Sequence, residues 1–272
     1  MSATLAEARV LPTITVEKVW GRDTLPAPFA APDGQRIGEI WFEPPPEMPE
    51  LLVKYLFTSE NLSVQVHPSD AQAPAGSRGK EECWLVLTAE PGAKLAVGFR
   101  ENLSADAMRA AALDGSIEDL LEWHDVAPGD FVYLTPGTVH AIGAGLSLIE
   151  VQQNSDITYR LYDFGRPREL HLDEGIAVAH GTPHPASLRR AVPQQGNATL
   201  VDGPQFRLDR IDGAPDEATL ARYGSAPVLV IPVNQSVSAG AITIAPGECG
   251  IAPSLDEVAA EVGARLLVAQ PS

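Results

Sequence analysis

Short runs in which apolar and polar residues alternate recur along the chain, and most are closed by glycine or proline. TITVEKVW (13–20), IGEIWF (37–42), LLVKYLF (51–57), LSVQVH (62–67), ECWLVLT (82–88) and KLAVGF (94–99) open the series. DFVYLT (130–135), LSLIEVQQ (146–153) and DITYRLYDF (156–164) continue it. Alternation with period two places one set of side chains on each face of a strand. With 23 glycines and 24 prolines in 272 residues, the punctuation favours many turns and short strands over a helix bundle. The segments 82–88 and 94–99, joined across Pro91-Gly92, read as a hairpin. Helical patterning is confined to SADAMRAAAL (104–113) and SIEDLLEW (116–123), capped by Ser104 and Ser116, and to a weaker stretch at 169–180. Beyond residue 183 further strand runs follow, among them LRRAV (188–192), FRLDRID (206–212), PVLVIPV (227–233), GAITIAP (240–246) and ARLLVAQ (264–270). The stretch 181–198 reads as a connection between two β domains.

Charge narrows the function classes. The chain has 36 acidic against 19 basic side chains, a formal net charge of −17. Nucleic acid and anionic membrane surfaces both require a basic footprint, so neither is expected as a partner. No window is apolar enough for a membrane span, and Met1–Lys18 lacks the apolar core of a signal peptide. Two cysteines, Cys83 and Cys249, without metal or disulfide spacing, suit a reducing cytoplasm. An anionic substrate on such a chain needs local cations. There are only four lysines, Lys18, Lys54, Lys80 and Lys94.

One constellation carries chemistry. Ser63, Gln65 and His67 share one face of the 62–67 strand, opposite Leu62, Val64 and Val66. Glu82 opens the next strand, and His140 follows the Pro136-Gly137 turn in GDFVYLTPGTVHAIG. Two imidazoles, a carboxylate and a neutral amide oxygen make a donor set for a borderline divalent cation such as Zn²⁺. Glu150, ten residues after His140, can point inward by alternation. Trp84 and Cys83 read as core residues, and Cys83 should face away from Glu82. Glu81 reads as a solvated neighbour. His124, His171, His180 and His184 have no spaced partners and read as structural or exposed.

The set VQVHPSD, GKEECW, GDFVYLTPGTVHAIG and NSDITYRLYDFGR resembles the type I mannose-6-phosphate isomerases, which are cupins. The resemblance runs over residues 51–166, with weaker likeness at VEKVWG and IGEIWF. It implies a mainly β bicupin of jelly-roll barrels with a small helical insertion near 104–123. Residues 1–182 would form the metal-bearing cupin and 183–272 a degenerate β domain. It implies one Zn²⁺ per chain held by Gln65, His67, Glu82 and His140. It brings Lys54, Lys80 and Arg160 to active-site positions, with Glu150 lining the sugar pocket as a candidate base, Ser63 near the substrate and Trp20 at the pocket rim. The expected reaction is interconversion of mannose 6-phosphate and fructose 6-phosphate by proton transfer between C1 and C2. Isomerisation or epimerisation of another sugar phosphate, and sugar-phosphate binding without turnover, stand as alternatives. The sequence departs from the family pattern at Arg22 after Gly21 and at Ile142, and its C-terminal half has no QxH or PGxxH motif.

Overall fold

The computed structural model describes residues 5–193 and 195–272; residues 1–4, part of the stretch read for a leader, and Gln194, within 181–198, lie outside it. Among the described residues the strands form four sheets. A seven-stranded sheet contains Thr13–Arg22, Ile37–Phe42, Leu51–Phe57, Glu82–Ala89, Asp130–Leu134, Leu146–Gln153 and Arg189–Ala191. A five-stranded sheet contains Val64–Val66, Lys94–Phe99, Leu121–Asp125, His140–Ile142 and Tyr159–Tyr162. The C-terminal half supplies most of a six-stranded and a three-stranded sheet. The first of these also takes in Arg9–Val10, which pairs with Gly250–Ala252 and ties the start of the chain to its end.

Period-two alternation decides which sheet packs on which. In Leu51–Phe57, residues Leu51, Val53, Tyr55 and Phe57 point to one face, and Lys54 and Leu56 to the other. The first set joins Cys83, Leu85, Ile149 and Val151 in a core shared with Leu208, Leu229, Ile231 and Leu267 of the six-stranded sheet. Leu56, Trp84, Leu148, Leu95, Val97 and Ile142 fill the space between the seven- and five-stranded sheets. The five-stranded sheet is covered outside by Ala105–Asp114 and Leu172–Val178 through Phe99, Met108, Ala112, Leu161 and Val178. The six- and three-stranded sheets enclose a fourth core around Val230, Ala239, Ile244 and Val268. The fold is therefore mainly β, a bicupin with a small helical insertion, and the seven-stranded sheet is buried on both faces.

The insertion is specified locally. Ser104 caps the first helix by accepting from the Ala107 N–H at 3.1 Å. Gly115 ends it at φ 86°, where any Cβ would also crowd the Tyr162 ring.

Several expectations fail for reasons of pairing. Residues 82–88 and 94–99 are both strands, but they lie in different sheets and do not form a hairpin. Glu82–Ala89 pairs with Leu146–Gln153 and Asp130–Leu134, while Lys94–Phe99 pairs with His140–Ile142 and Leu121–Asp125. The helix expected over 116–123 stops at Leu120, because Leu121–Asp125 is taken up as a strand by Lys94–Phe99. The helix in 169–180 is shorter, Leu172–Val178. Within 181–198, Arg189–Ala191 adds an edge strand to Asp130–Leu134. Among the described residues no helix is long and apolar enough to cross a membrane.

The core between the seven- and six-stranded sheets should carry much of the stability. Phe206 is fully buried there. Phe206→Ala is expected to destabilise the protein by about 3–5 kcal/mol. Leu113→Ala on the exposed helix surface should stay within about 0.5 kcal/mol. Chemical denaturation of both variants checks this, and equal effects would place the main core elsewhere.

Candidate functional site

The register of the seven-stranded sheet aligns a row of functional side chains across four neighbouring strands. Trp41 lies opposite Lys54, Lys54 opposite Glu150, and Glu150 opposite Trp84. Residues directly opposite share a face, so this row turns towards the five-stranded sheet. One pleat along, Gln152 lies opposite Glu82. The facing sheet presents a second row, because Gln65 pairs with His140 on one side and Arg160 on the other. His67 stands just past the end of Val64–Val66. It is fixed to the PGTVH turn by the Gly137 N–H, which donates to its carbonyl at 2.8 Å. Gly137 holds φ 84°, and a Cβ there would meet the His180 ring at 2.6 Å, so the turn that delivers His140 requires glycine.

At the meeting of the two rows sit His67, Glu82 and His140, all buried, with ligand-type atoms within 4.8 Å of one another. His67 Nδ1 lies 2.8 Å from the Ile157 carbonyl, and His140 Nδ1 2.9 Å from the Thr138 carbonyl. A carbonyl only accepts, so each Nδ1 carries the hydrogen and each Nε2 is left with a lone pair. Those lone pairs face a carboxylate: His67 Nε2 is 3.5 Å from Glu82 Oε2, and His140 Nε2 is 3.4 Å from Glu82 Oε1. Both Glu82 oxygens are buried without a well-directed hydrogen bond. Acceptors facing acceptors in a buried place demand a cation. Tetrahedral zinc with bonds of about 2.1 Å holds its donors about 3.4 Å apart, which the separations match. The donor set fits a zinc ion.

The electrostatics agree. Burial, followed by the charges of Lys80 and His140, holds His67 well below the ordinary histidine value. Burial also lowers His140 and outweighs the opposing Glu82. Both imidazoles are therefore neutral and available as ligands. Burial pushes Glu82 up, but the neighbouring Lys80 charge and hydrogen bond outweigh it and keep the carboxyl below its ordinary value. Lys80 Nζ sits 3.0 Å from Glu82 Oε2 and 3.3 Å from His67 Nε2. Burial disfavours its charge, yet Glu82 and Glu150 outweigh that and raise it above the ordinary lysine value.

Gln65 is beside the cluster, with its amide nitrogen 3.2 Å from His140 Nε2 and its oxygen accepting from Ser63 Oγ at 3.2 Å. A half-turn of the amide exchanges the two ends and brings the oxygen to the cluster. Lys54 Nζ is 3.0 Å from Glu150 Oε1 and also donates to Gln152 Oε1. The other Glu150 oxygen accepts from Trp84 Nε1 at 3.0 Å. Gln65, Lys54 and Glu150 border a cavity of about 280 Å³, which Ser63, Trp20, Lys80 and Arg160 also line. Trp20 does both things expected of it, packing in the core and forming a wall. Arg160 donates to the Glu169 carbonyl at 2.8 Å and leaves its Nε without a partner. Burial and the Arg168 charge lower its value, against Asp163.

Some neighbours were not read from the sequence. Arg168 lines the cavity, its guanidinium held by Asp163. The density of arginine in TYRLYDFGRPR was the available signal. Lys18, Glu39 and Trp41 line it as well. Glu39 receives Lys18 Nζ at 3.1 Å and Trp41 Nε1 at 2.8 Å. Alternation in VEKVW and GEIWF already placed these on one face. Trp84 is core, as expected, but its indole N–H also orients Glu150. Glu81 is not solvated: it is buried on the opposite face near Tyr133, and burial raises its carboxyl. Cys83 is buried and faces away from Glu82, as expected. His184 is buried and meets the Tyr133 carbonyl, a structural role.

No family model matches the chain. It is 42% identical over 174 residues to the mannose-6-phosphate isomerase of Streptococcus mutans, covering 58% of this chain and 53% of that one. It is 34% identical over 197 residues to a probable mannose-6-phosphate isomerase of Bacillus subtilis, covering 69% and 58%. The chain thus spans little more than half the length of these two curated relatives. In three dimensions the match is end to end. The crystal structure of the Bacillus subtilis mannose 6-phosphate isomerase has a TM-score of 0.74 at 23% identity, covering 97% of this chain and 99% of that one. A zinc-bound mannose 6-phosphate isomerase structure has a TM-score of 0.73 at 17% identity, covering 98% and 100%. The chain therefore has the fold of the solved mannose 6-phosphate isomerases and resembles curated proteins of that name in sequence.

Proposed function

We propose that the protein interconverts mannose 6-phosphate and fructose 6-phosphate, with one Zn²⁺ per chain held by His67, Glu82, His140 and, after its amide turns, Gln65. The observation that carries this reading is a buried donor set suited to a cation, next to a polar cavity that Gln65, Lys80, Arg160 and Arg168 line. The mannose-6-phosphate isomerases it resembles point the same way. Zinc at that place would supply Lewis acidity toward the sugar oxygens.

The chain's own groups do the rest. Glu150 removes the proton from C2 of the open-chain aldose while the bond electrons move toward the C1 carbonyl oxygen. O1 gains a proton while the O2 hydroxyl gives one up, so that C2 becomes the carbonyl, and return of the carbon-bound proton at C1 gives the ketose. Lys54 and Trp84 fix the Glu150 carboxylate from two sides, so the same group can give and take without turning away. Lys80, kept charged by Glu82 and Glu150, donates to the oxygen on which negative charge grows. The guanidinium of Arg160, with Arg168 beside it, offers a planar fork to the phosphate. Ser63 and Trp20 shape the wall next to the sugar. Residues 1–182 form the unit that carries the site, and 183–272 a second barrel; among the described residues the latter holds no metal-ligating cluster. The buried free thiols of Cys83 and Cys249 suit a reducing cytoplasm.

Purified protein should convert mannose 6-phosphate to fructose 6-phosphate, lose that turnover with a chelator and regain it with zinc. Zinc-replete protein that produces no fructose 6-phosphate would overturn the reading. Zinc at about a hundred times its dissociation constant should raise the melting temperature by about 5–10 °C. His140→Ala should lose both turnover and the zinc-dependent shift, since one ligand is gone. Arg160→Ala should keep the shift and lose about a hundredfold or more in kcat/KM. Full activity in that variant would remove Arg160 from the machinery.

A further inference from the structure

A cavity of about 590 Å³ lies on the other side of the seven-stranded sheet from the zinc-type cluster. Its size is within the range of about 300–1,000 Å³ usual for small-molecule sites. Phe29, Tyr55 and Phe57 form an aromatic corner, with the Phe29 ring centroid 4.7 Å from Tyr55 and 5.0 Å from Phe57. Arg210 and Arg265 line the same space.

Arg210 does not fit a merely structural role. It alternates with Phe206 and Leu208 on Phe206–Asp212 and so points into the core between the sheets. It is only 4% exposed, and its Nε has no hydrogen-bond partner among the described residues. Its Nη2 donates to the Gly196 carbonyl, a neutral acceptor. Asp212, the acid two residues on, accepts instead from the Gly196 N–H at 2.9 Å. Burial pushes the guanidinium below its ordinary range, and the Arg265 charge adds to this against Asp212. Ser147, buried on the same cavity wall, also has a hydroxyl without a partner among the described residues. In a chain with nearly twice as many acids as bases, a buried guanidinium without an ion-pair partner beside an aromatic cavity calls for an anion.

We infer that this cavity binds a small organic anion of the aryl carboxylate or arylsulfonate class. Its charged group lies against Arg210 and Arg265, and its ring against Phe29, Tyr55 and Phe57. The site is separate from the sugar-phosphate cavity and does not depend on the proposed isomerase reading.

The test is a fluorescence titration of the zinc-loaded full chain with 8-anilinonaphthalene-1-sulfonate. The neutral N-phenyl-1-naphthylamine serves as its uncharged counterpart. One saturable sulfonate site per chain is expected, displaced by benzoate but not by mannose 6-phosphate. Arg265→Gln, on a partly exposed residue that should tolerate change, is expected to weaken the sulfonate about tenfold and leave the neutral amine unaffected. Phe29→Ala should weaken both probes. Arg210→Gln, checked by thermal melting, should repeat the Arg265→Gln result. A sulfonate titration of Arg265→Gln that overlays the wild type, an absence of saturable binding, or displacement by mannose 6-phosphate would each overturn the inference.

Discussion

Glu82 faces two imidazole lone pairs inside a sealed part of the protein, and the rest of the site is arranged around that conflict. The two Nδ1–H groups are committed to the Ile157 and Thr138 carbonyls, which fixes the tautomers and leaves neither imidazole able to donate to the carboxylate. Lys80 answers part of the charge from one side. The remaining demand is for a cation between the three groups, at a spacing zinc accepts. A half-satisfied buried network costs stability, so a structure that keeps this one gains most when a metal completes it.

The sheet architecture makes that precision possible. Three of the principal residues, Lys54, Glu150 and Trp84, are locked in one cross-strand row, and a one-residue slip would send every one of them to the opposite core. Slippage is opposed by the other face of the same strands, where Tyr55, Phe57, Leu85, Ile149 and Val151 are buried against the six-stranded sheet. The six-stranded sheet therefore contributes to the site without lining its cavity, by holding register from behind. The cavity with Arg210 lies within this supporting layer, one residue along the strand from Lys54 at Tyr55.

Much of this was legible in the sequence because strands announce themselves locally. Period-two alternation located Leu51–Phe57 and Leu146–Gln153 and put Ser63 and Gln65 on one face. It also pointed Cys83 away from Glu82. Ser104 and Gly115 announced the first insertion helix because caps are local devices. What sequence did not disclose was partnership. Residues 82–88 and 94–99 resemble a hairpin, but each pairs instead with segments further along the chain, and nothing local records that choice. LEWHD reads as the end of a helix until Lys94–Phe99 claims it as a strand. Glu81 looked solvated because its burial comes from residues distant in sequence, Tyr133 on the paired strand and Gly203 in the C-terminal half. Trp84 was missed as a site residue because its significance depends on Glu150 standing opposite, on a strand more than sixty residues away.

The most direct measurement is the anomalous difference map of crystals grown with zinc, recorded above and below the zinc edge. The account requires one peak per chain, about 2.0–2.2 Å from His67 Nε2, His140 Nε2 and a Glu82 oxygen, with the Gln65 amide oxygen turned toward it. A zinc peak at another place, or none between these residues, would contradict it.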